Sequence, residues 1–251
     1  FSLQGKTALV TGASSGLGRH FAQVLTRAGA NVVVGARRRD ALDAVVQEIT
    51  AAGGKALAVP LDVTDRASVN AAFDAAEAAF GTVGVLVNNA GIAAPRYFID
   101  EPEEVWQGTV DVNLSGVWRV AQEAARRMVQ AGIPGSIVNI ASALGIGTQS
   151  QQSSYAATKA GVIHLTRAAA TELVRHGIRV NAIAPGYFRT DMNEEFFASE
   201  RGQKYVQTLP MRRLGELNEL DGVLLLLASD ASSYMSGVTI PVDGGHLVKS
   251  L

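Results

Sequence analysis

The chain contains no cysteine, which excludes a disulfide scaffold, a thiolate nucleophile and a cysteine-ligated zinc site. It has only four histidines, His20, His164, His176 and His246. None stands at ligand spacing from another histidine or a suitable carboxylate cluster. They are read as structural or surface residues, and no catalytic metal is expected. An excess of basic charge is also missing. The 22 lysines and arginines are matched by 23 aspartates and glutamates, which argues against nucleic-acid binding driven by phosphate neutralisation. The longest obvious apolar run, 223–228, falls far short of the roughly 18 residues of a membrane-spanning helix. The first residues run directly into a strand pattern at 6–10, with no room for a signal peptide. These absences lead to the expectation of a cytoplasmic protein with neither a membrane nor a nucleic-acid partner.

What is present is length and apolar content. With 251 residues, 47% of them hydrophobic, the chain can bury a substantial core without disulfides or a structural metal. Apolar, β-rich runs recur at 7–10, 31–34, 56–60, 85–88, 136–140, 179–183 and 238–241. Each is short and nearly continuous, as in strands buried on both faces of a parallel sheet. Stretches with helical spacing lie between them, at 17–28, 41–51, 67–80, 105–129, 155–175 and 217–228. This alternation predicts one α/β domain over 1–251, a doubly wound (Rossmann) parallel sheet with helices on both faces. The expected strand order is 3-2-1-4-5-6-7. The rhythm breaks only at 186–215, which holds Phe188, Met192, Phe196, Phe197 and Tyr205. That segment reads as a mobile lid over an apolar substrate pocket.

Between the first strand and first helix lies Thr11-Gly12-Ala13-Ser14-Ser15-Gly16-Leu17-Gly18. Its glycines keep the turn tight and let backbone approach a pyrophosphate at a helix amino terminus. An ordinary βα turn is the plainer reading, but the strand–turn–helix context favours a dinucleotide. The second strand ends in Ala36-Arg37-Arg38-Arg39. NAD-selective folds of this kind carry an acidic residue there to hold the adenosine ribose. Arginines instead suit the 2′-phosphate of NADP, with Arg37 the first choice and at least one of the three merely solvated.

Four further segments carry chemistry. Asn88-Asn89-Ala90-Gly91 follows the fourth strand, Ser142 the fifth, Tyr155-Ala156-Ala157-Thr158-Lys159 opens a helix, and Pro185-Gly186 follows the sixth strand. Tyr155 and Lys159 are four apart and share one helix face. A lysine cation beside a phenol is expected to lower its pKa, fitting Tyr155 as general acid or base. Ser142 could hydrogen-bond a substrate carbonyl oxygen and hold it near the phenol.

In order and spacing these motifs, with Pro241-Val242-Asp243-Gly244-Gly245 near the end, resemble the short-chain dehydrogenase/reductase family in its single-domain form. The resemblance covers nearly the whole chain. It implies a catalytic set of Asn113, Ser142, Tyr155 and Lys159, with Asn113 holding a water that relays protons to Lys159. It implies cofactor contacts at Gly12, Ser14, Ser15, Gly16, Leu17, Gly18, Arg37, Arg38, Asp62, Val63, Asn89, Ala90, Gly91, Tyr155, Lys159, Pro185, Gly186 and Thr190. From the residues alone, Asn113 could be a core amide and Asp62 a turn aspartate. Ala143, Leu144, Gln152, Tyr187, Phe188, Met192 and Phe196 are the expected substrate pocket.

The expected activity is hydride transfer between NADP(H) and a ketone or secondary alcohol. The alternatives are an NAD-dependent alcohol dehydrogenase working mainly in oxidation and a catalytically silent nucleotide-binding scaffold. The whole chain looks most similar to 3-oxoacyl-carrier-protein reductases and related bacterial ketoreductases. Gln130, Ala131 and Gly132 stand where that subfamily carries a basic docking group, while Arg175 and His176 remain. An acyl carrier protein partner is therefore open beside a free small-molecule substrate. The resemblance also implies a homotetramer built on the helices at 105–129 and 155–175.

Overall fold

The computed structural model describes residues 1–190 and 194–248. Strand β1 (Thr7–Thr11) is buried at all five positions, as its unbroken apolar run demands. It pairs in parallel with β2 (Asn31–Ala36) on one side and β4 (Val83–Asn88) on the other. β3 (Lys55–Pro60), β5 (Gly135–Ile140), β6 (Ile178–Pro185) and β7 (Thr239–Val242) complete a seven-stranded parallel sheet in the order β3-β2-β1-β4-β5-β6-β7. Both order and direction match the sequence expectation.

Helices cover both faces. α1 (Gly16–Arg27), α2 (Arg39–Ala51) and a late helix (Asp221–Ala228) bury Phe21, Leu25, Leu42, Leu224 and Leu227 against Val10, Val32, Val34 and Val138. On the opposite face α3 (Arg66–Phe80) contributes Val69 and Phe73, against Leu9, Val33, Leu86 and Ile137. The α3 amino terminus is capped by Asp65, whose carboxylate accepts from the amides of Ala67 and Ser68.

The predicted helix at 105–129 is not continuous. α4 (Glu103–Val110) passes through a π-helical turn (Asp111–Gly116) into α5 (Val117–Ala131). The wider turn carries Asn113 inward, where its side chain is fully buried and bonded at both ends. That pull accounts for the departure from α geometry. α6 (Ser153–Leu173) begins two residues before the predicted start. Beyond β6, the segment expected to be a lid holds two short helices, α7 (Glu194–Ala198) and α8 (Glu200–Gln207). Phe197, Leu209 and Leu214 bury together beside Tyr187 and Tyr205. The late helix is α9; the predicted 217–228 helix starts as a 3-10 turn over Leu217–Leu220.

Candidate active site

The carboxyl ends of β1, β4, β5 and β6 converge on one edge of the sheet, where ligands of open α/β folds bind. The glycine-rich turn lies there. Gly12 and Gly16 have φ of 64° and 52°, a region where a side chain is strained. A Cβ on Gly12 would stand 2.8 Å from the Ala90 Cα, and one on Gly18 would strike the Gly12 carbonyl and the Asn89 amide. Thr11 Oγ1 accepts from the backbone amides of Asn89 and Ala90, both at 3.0 Å. Asn89 Nδ2 donates to the Thr11 and Gly12 carbonyls, at 3.0 and 3.3 Å. The Asn89 side chain is therefore spent on holding the turn against the end of β4. Ser15, at the N-cap of α1, makes no side-chain cap, and no acidic residue occupies the first turn of that helix.

At the end of β2 the three arginines separate. Arg38 Nη2 donates to Ser14 Oγ at 3.1 Å and to Ser15 Oγ at 3.3 Å. Arg39 pairs with Asp43 at 2.9 Å. Arg37 is exposed and is among the charges lowering the Asp62 pKa. Arg38 is thus the guanidinium joined to the glycine-rich turn. Asp62 Oδ1 accepts from the Thr64 amide and hydroxyl at 2.9 and 2.7 Å. Those bonds, chiefly the hydroxyl's, hold its carboxyl below the usual range. Val63 packs on the π-helical turn: a Cβ on Gly116 would meet its Cγ2 at 2.7 Å.

Ser142 follows β5 in extended conformation and accepts from the Leu144 amide at 3.1 Å, capping the 3-10 turn Ala143–Gly145. Gly145 lets that turn lie directly on α6, since a Cβ there would stand 2.6 Å from the Lys159 carbonyl carbon. This packing sets Ser142 beside Tyr155 in the first turns of α6. Four residues on, Lys159 is buried, and its Nζ donates to the Ile140 carbonyl at 2.7 Å. Nζ also stands 5.6 Å from the Tyr155 ring centre. Asn113 Oδ1 accepts from the Ile92 amide and Nδ2 donates to the Ile92 carbonyl, each at 2.8 Å. Gly91 sits between these groups: a Cβ there would lie 3.4 Å from Asn113 Oδ1 and 3.6 Å from Lys159 Nζ.

Electrostatics correct one expectation. Burial pushes the Tyr155 phenol above its ordinary value, and the Ser142 hydrogen bond offsets only part of the rise. Burial also lowers Lys159, to about 8. Lys159 makes no resolved contribution to the Tyr155 shift, so the expected lowering is not found. A desolvated ammonium holds its own charge weakly, and here desolvation outweighs the pairing.

Of the remaining expected residues, Pro185 ends β6 buried, and Gly186 donates to the Val242 carbonyl at 2.9 Å. Thr190 lies against the glycine-rich turn, 3.7 Å from where a Gly16 Cβ would be. Leu17 is half-buried at the start of α1. Ala143 and Leu144 are buried beside Ser142, and Gln152 is the N-cap residue of α6. Phe196 is 41% exposed. Met192 lies outside the described residues. Phe188 is 5% exposed, belongs to an apolar core cluster and packs against Gly215, and with Tyr187 it lines a cavity. Two residues outside the expected pocket set meet Tyr187. Gln149 accepts a hydrogen bond from the Tyr187 hydroxyl, and the His246 ring stands 5.6 Å from that of Tyr187. Among the described residues no cluster of histidine, aspartate and glutamate could hold a metal ion, and no helix is long and apolar enough to cross a membrane.

A family model described as enoyl-(acyl carrier protein) reductase matches residues 12–246. L-rhamnose 1-dehydrogenase (NAD(P)(+)) of Azotobacter vinelandii is 41% identical over 248 residues, 97% of each chain. The chain belongs to the short-chain dehydrogenase/reductase family. The 3-oxoacyl-acyl-carrier-protein reductase of Thermotoga maritima is 39% identical over 246 residues, covering 98% of this chain and 99% of its own. A gluconate 5-dehydrogenase from Burkholderia cenocepacia, solved with NADP and tartrate, superposes with a TM-score of 0.94. It is 35% identical, covering 100% of this chain and 98% of its own. Membership makes this chain an oxidoreductase of the short-chain dehydrogenase/reductase type, with a nicotinamide cofactor.

Proposed function

We propose that this chain is an NADP(H)-preferring oxidoreductase that interconverts a ketone and a secondary alcohol. The observation that carries the reading is the Tyr155 ring 5.6 Å from the buried Lys159 Nζ on α6, beside Ser142 at the end of β5. The glycine-rich turn fits a dinucleotide: it has room only for backbone at Gly12 and Gly18, and α1 begins with no side-chain cap. The residues that would hold the cofactor are the 12–18 turn for the diphosphate, Arg38 with Ser14 and Ser15 for the 2′-phosphate, and Asp62 and Val63 for the adenine. Ala90 and Gly91 with Lys159 would hold the nicotinamide ribose, and Pro185, Gly186 and Thr190 the nicotinamide. When bound, the nicotinamide supplies or accepts the hydride.

This chain's own residues do the rest. Ser142 orients the substrate oxygen toward the phenol. Tyr155, a phenol that burial holds still more firmly protonated, gives its proton to the oxygen of a ketone. Lys159 returns the proton to Tyr155. The Asn113 side chain is committed to Ile92, so its part is to fix the 90–92 segment against Lys159, with the peptide of the π-helical turn left to hold a relay water. Residues 186–215 act as the lid.

The pH dependence follows in sign. Reduction needs Tyr155 and Lys159 protonated, so kcat/KM for reduction is expected to be flat at neutral pH and to fall above about pH 8, where Lys159 deprotonates. Oxidation of the alcohol, in which the proton leaves through Tyr155 to a deprotonated Lys159, is expected to rise over the same range. A reductive profile that climbs through pH 8–9 would contradict the assignment.

Cofactor choice has its own test. Arg38→Ala is expected to weaken NADPH by roughly tenfold or more, as loss of a charge-assisted bond implies, and to leave NADH nearly unchanged. Arg37→Ala is expected to have the smaller effect. Fluorescence titrations in which both cofactors weaken equally in Arg38→Ala would leave NAD as the natural cofactor.

For assembly we propose a homotetramer packed through α5 and α6. Trp118 and Val129 on α5 and Val174 just beyond α6 are 41–58% exposed, an uncovered apolar set on those two helices. Light scattering is expected to give four times the 26.3 kDa chain mass, and a monomer would refute this arrangement.

A further inference from the structure

Two ends of the proposed cofactor site are joined through the π-helical turn. One end is the 61–65 segment after β3. The Leu61 amide donates to the Ala36 carbonyl at 3.0 Å, and the Ala13 amide to the Gly35 carbonyl at 3.1 Å. These bonds set the segment beside the corner where Arg38 meets the glycine-rich turn. The other end is the 90–92 segment after β4, where a Cβ on Gly91 would stand 3.6 Å from Lys159 Nζ.

Arg119, in the first turn of α5, ties the first end to the π-helical turn. Its Nη1 donates to the Val63 carbonyl at 3.3 Å, and its Nη2 to Asp111 Oδ1 at 2.7 Å. Arg66, at the start of α3, returns the contact: its Nη1 donates to the Arg119 carbonyl at 3.3 Å, and its guanidinium lies 5.2 Å over the Trp118 ring. The Val63 side chain rests on Gly116, where a Cβ would meet its Cγ2 at 2.7 Å. Asp111 and Gly116 are the first and last residues of the π-helical turn, so the 61–65 segment holds it at both ends. Its middle carries Asn113 onto the Ile92 amide and carbonyl, each at 2.8 Å. A slip of this turn to the tighter α-helical bonding would swing Asn113 off the Ile92 backbone, so whatever steadies the turn also steadies the 90–92 segment.

We infer that Arg119 is a positioning residue that couples the two halves of the cofactor site, so that filling the adenosine half orders the nicotinamide-ribose half. Affinity at the end of the cofactor that takes no part in the chemistry then goes into shaping the end that does. The inference rests on the reading of this edge of the sheet as an NADP(H) site, and the test lets the two fail separately. Reduced nicotinamide mononucleotide is titrated by its fluorescence, with and without saturating adenosine 2′-phosphate. In the parent protein the adenosine fragment is expected to tighten the mononucleotide about fivefold or more, and the mononucleotide to tighten the adenosine fragment by the same factor. Arg119→Met keeps the aliphatic stem and removes both donors. Its coupling is expected to fall toward unity, while the mononucleotide alone binds within about twofold of the parent. Asp111→Asn leaves Arg119 on the Val63 carbonyl and weakens its hold on the turn, so the coupling is expected to fall there too, with adenosine 2′-phosphate binding unchanged. The two side chains are 21% and 36% exposed, and both variants are expected to fold, as their melting temperatures will check. An arginine that served stability alone would shift the melting temperature and leave the coupling factor in place. Binding of both fragments by the parent without coupling, or coupling left intact in either variant, would overturn the inference. A parent protein that binds neither fragment would overturn the cofactor reading, and this inference with it.

Discussion

Replacing Tyr155 by Phe is expected to lower turnover about 10²-fold or more, with little change in NADPH affinity. The phenol is the titratable donor beside the Ser142 hydroxyl, and Phe keeps the ring's packing on α6 while removing the proton. General acid catalysis by a positioned side chain is typically worth ~10²–10⁴. The loss should appear in kcat rather than in cofactor binding, because the turn at 12–18 and Arg38 are untouched. Ser142→Ala is expected to fall in the same direction by less, since it orients the oxygen without supplying the proton. Near-normal turnover of Tyr155→Phe would remove the assigned mechanism.

The second large effect has opposite signs in activity and stability. Lys159 is buried, and its pKa falls from an ordinary 10.5 to about 8 because burial penalises the cation. A fall of that size corresponds to roughly 3 kcal/mol of destabilisation at neutral pH. The sign follows from proton binding. Between pH 8 and 10.5 the unfolded chain holds the proton more tightly than the folded one, so the penalty is full below pH 8 and is relieved as pH rises toward 10.5. Lys159→Met is therefore expected to raise the melting temperature at pH 7 by several degrees, each ~1 kcal/mol being worth about 2–4 °C in a domain of this size. Loss of the bond to the Ile140 carbonyl trims the gain. The stabilisation should narrow as pH approaches 10.5. The same variant is expected to lose about 10²-fold or more in turnover, as a group in the proton path should. Scanning calorimetry at two pH values checks the first part, and a melting temperature lowered at pH 7 would contradict it. A destabilising cation kept at such a place is the pattern of a residue retained for chemistry.

The parallel sheet was legible in the chain because strands buried on both faces leave apolar runs that no surface strand would carry. β1 and β4 are such runs. Tyr155 and Lys159 were legible as a pair because spacing alone puts them on one helix face. Other features depend on tertiary contact and left no local mark. The π-helical turn at Asp111–Gly116 exists because Asn113 is drawn onto the Ile92 backbone, which lies far off in the chain. Adjacent arginines look alike in sequence, and only the approach of the glycine-rich turn to the end of β2 separates Arg38 from Arg37. The direction of the Tyr155 shift was missed because helix spacing reveals the neighbouring cation but not the burial that outweighs it. Gln149 and His246 meet Tyr187 from segments nearly a hundred residues apart, a juxtaposition no spacing encodes.

The central claim is that this site moves a hydride between a nicotinamide and a carbon whose oxygen Tyr155 protonates. It is tested most directly by incubating the protein with NADPH deuterated at the nicotinamide C4 and with α-hydroxycyclohexanone and cyclohexanone, then locating the label by nuclear magnetic resonance. The account predicts alcohol products with deuterium on the newly formed carbinol carbon, and none of that product from Tyr155→Phe on the same time scale. Absence of any labelled alcohol from the parent protein, or an alcohol whose carbinol hydrogen comes from water, would contradict it.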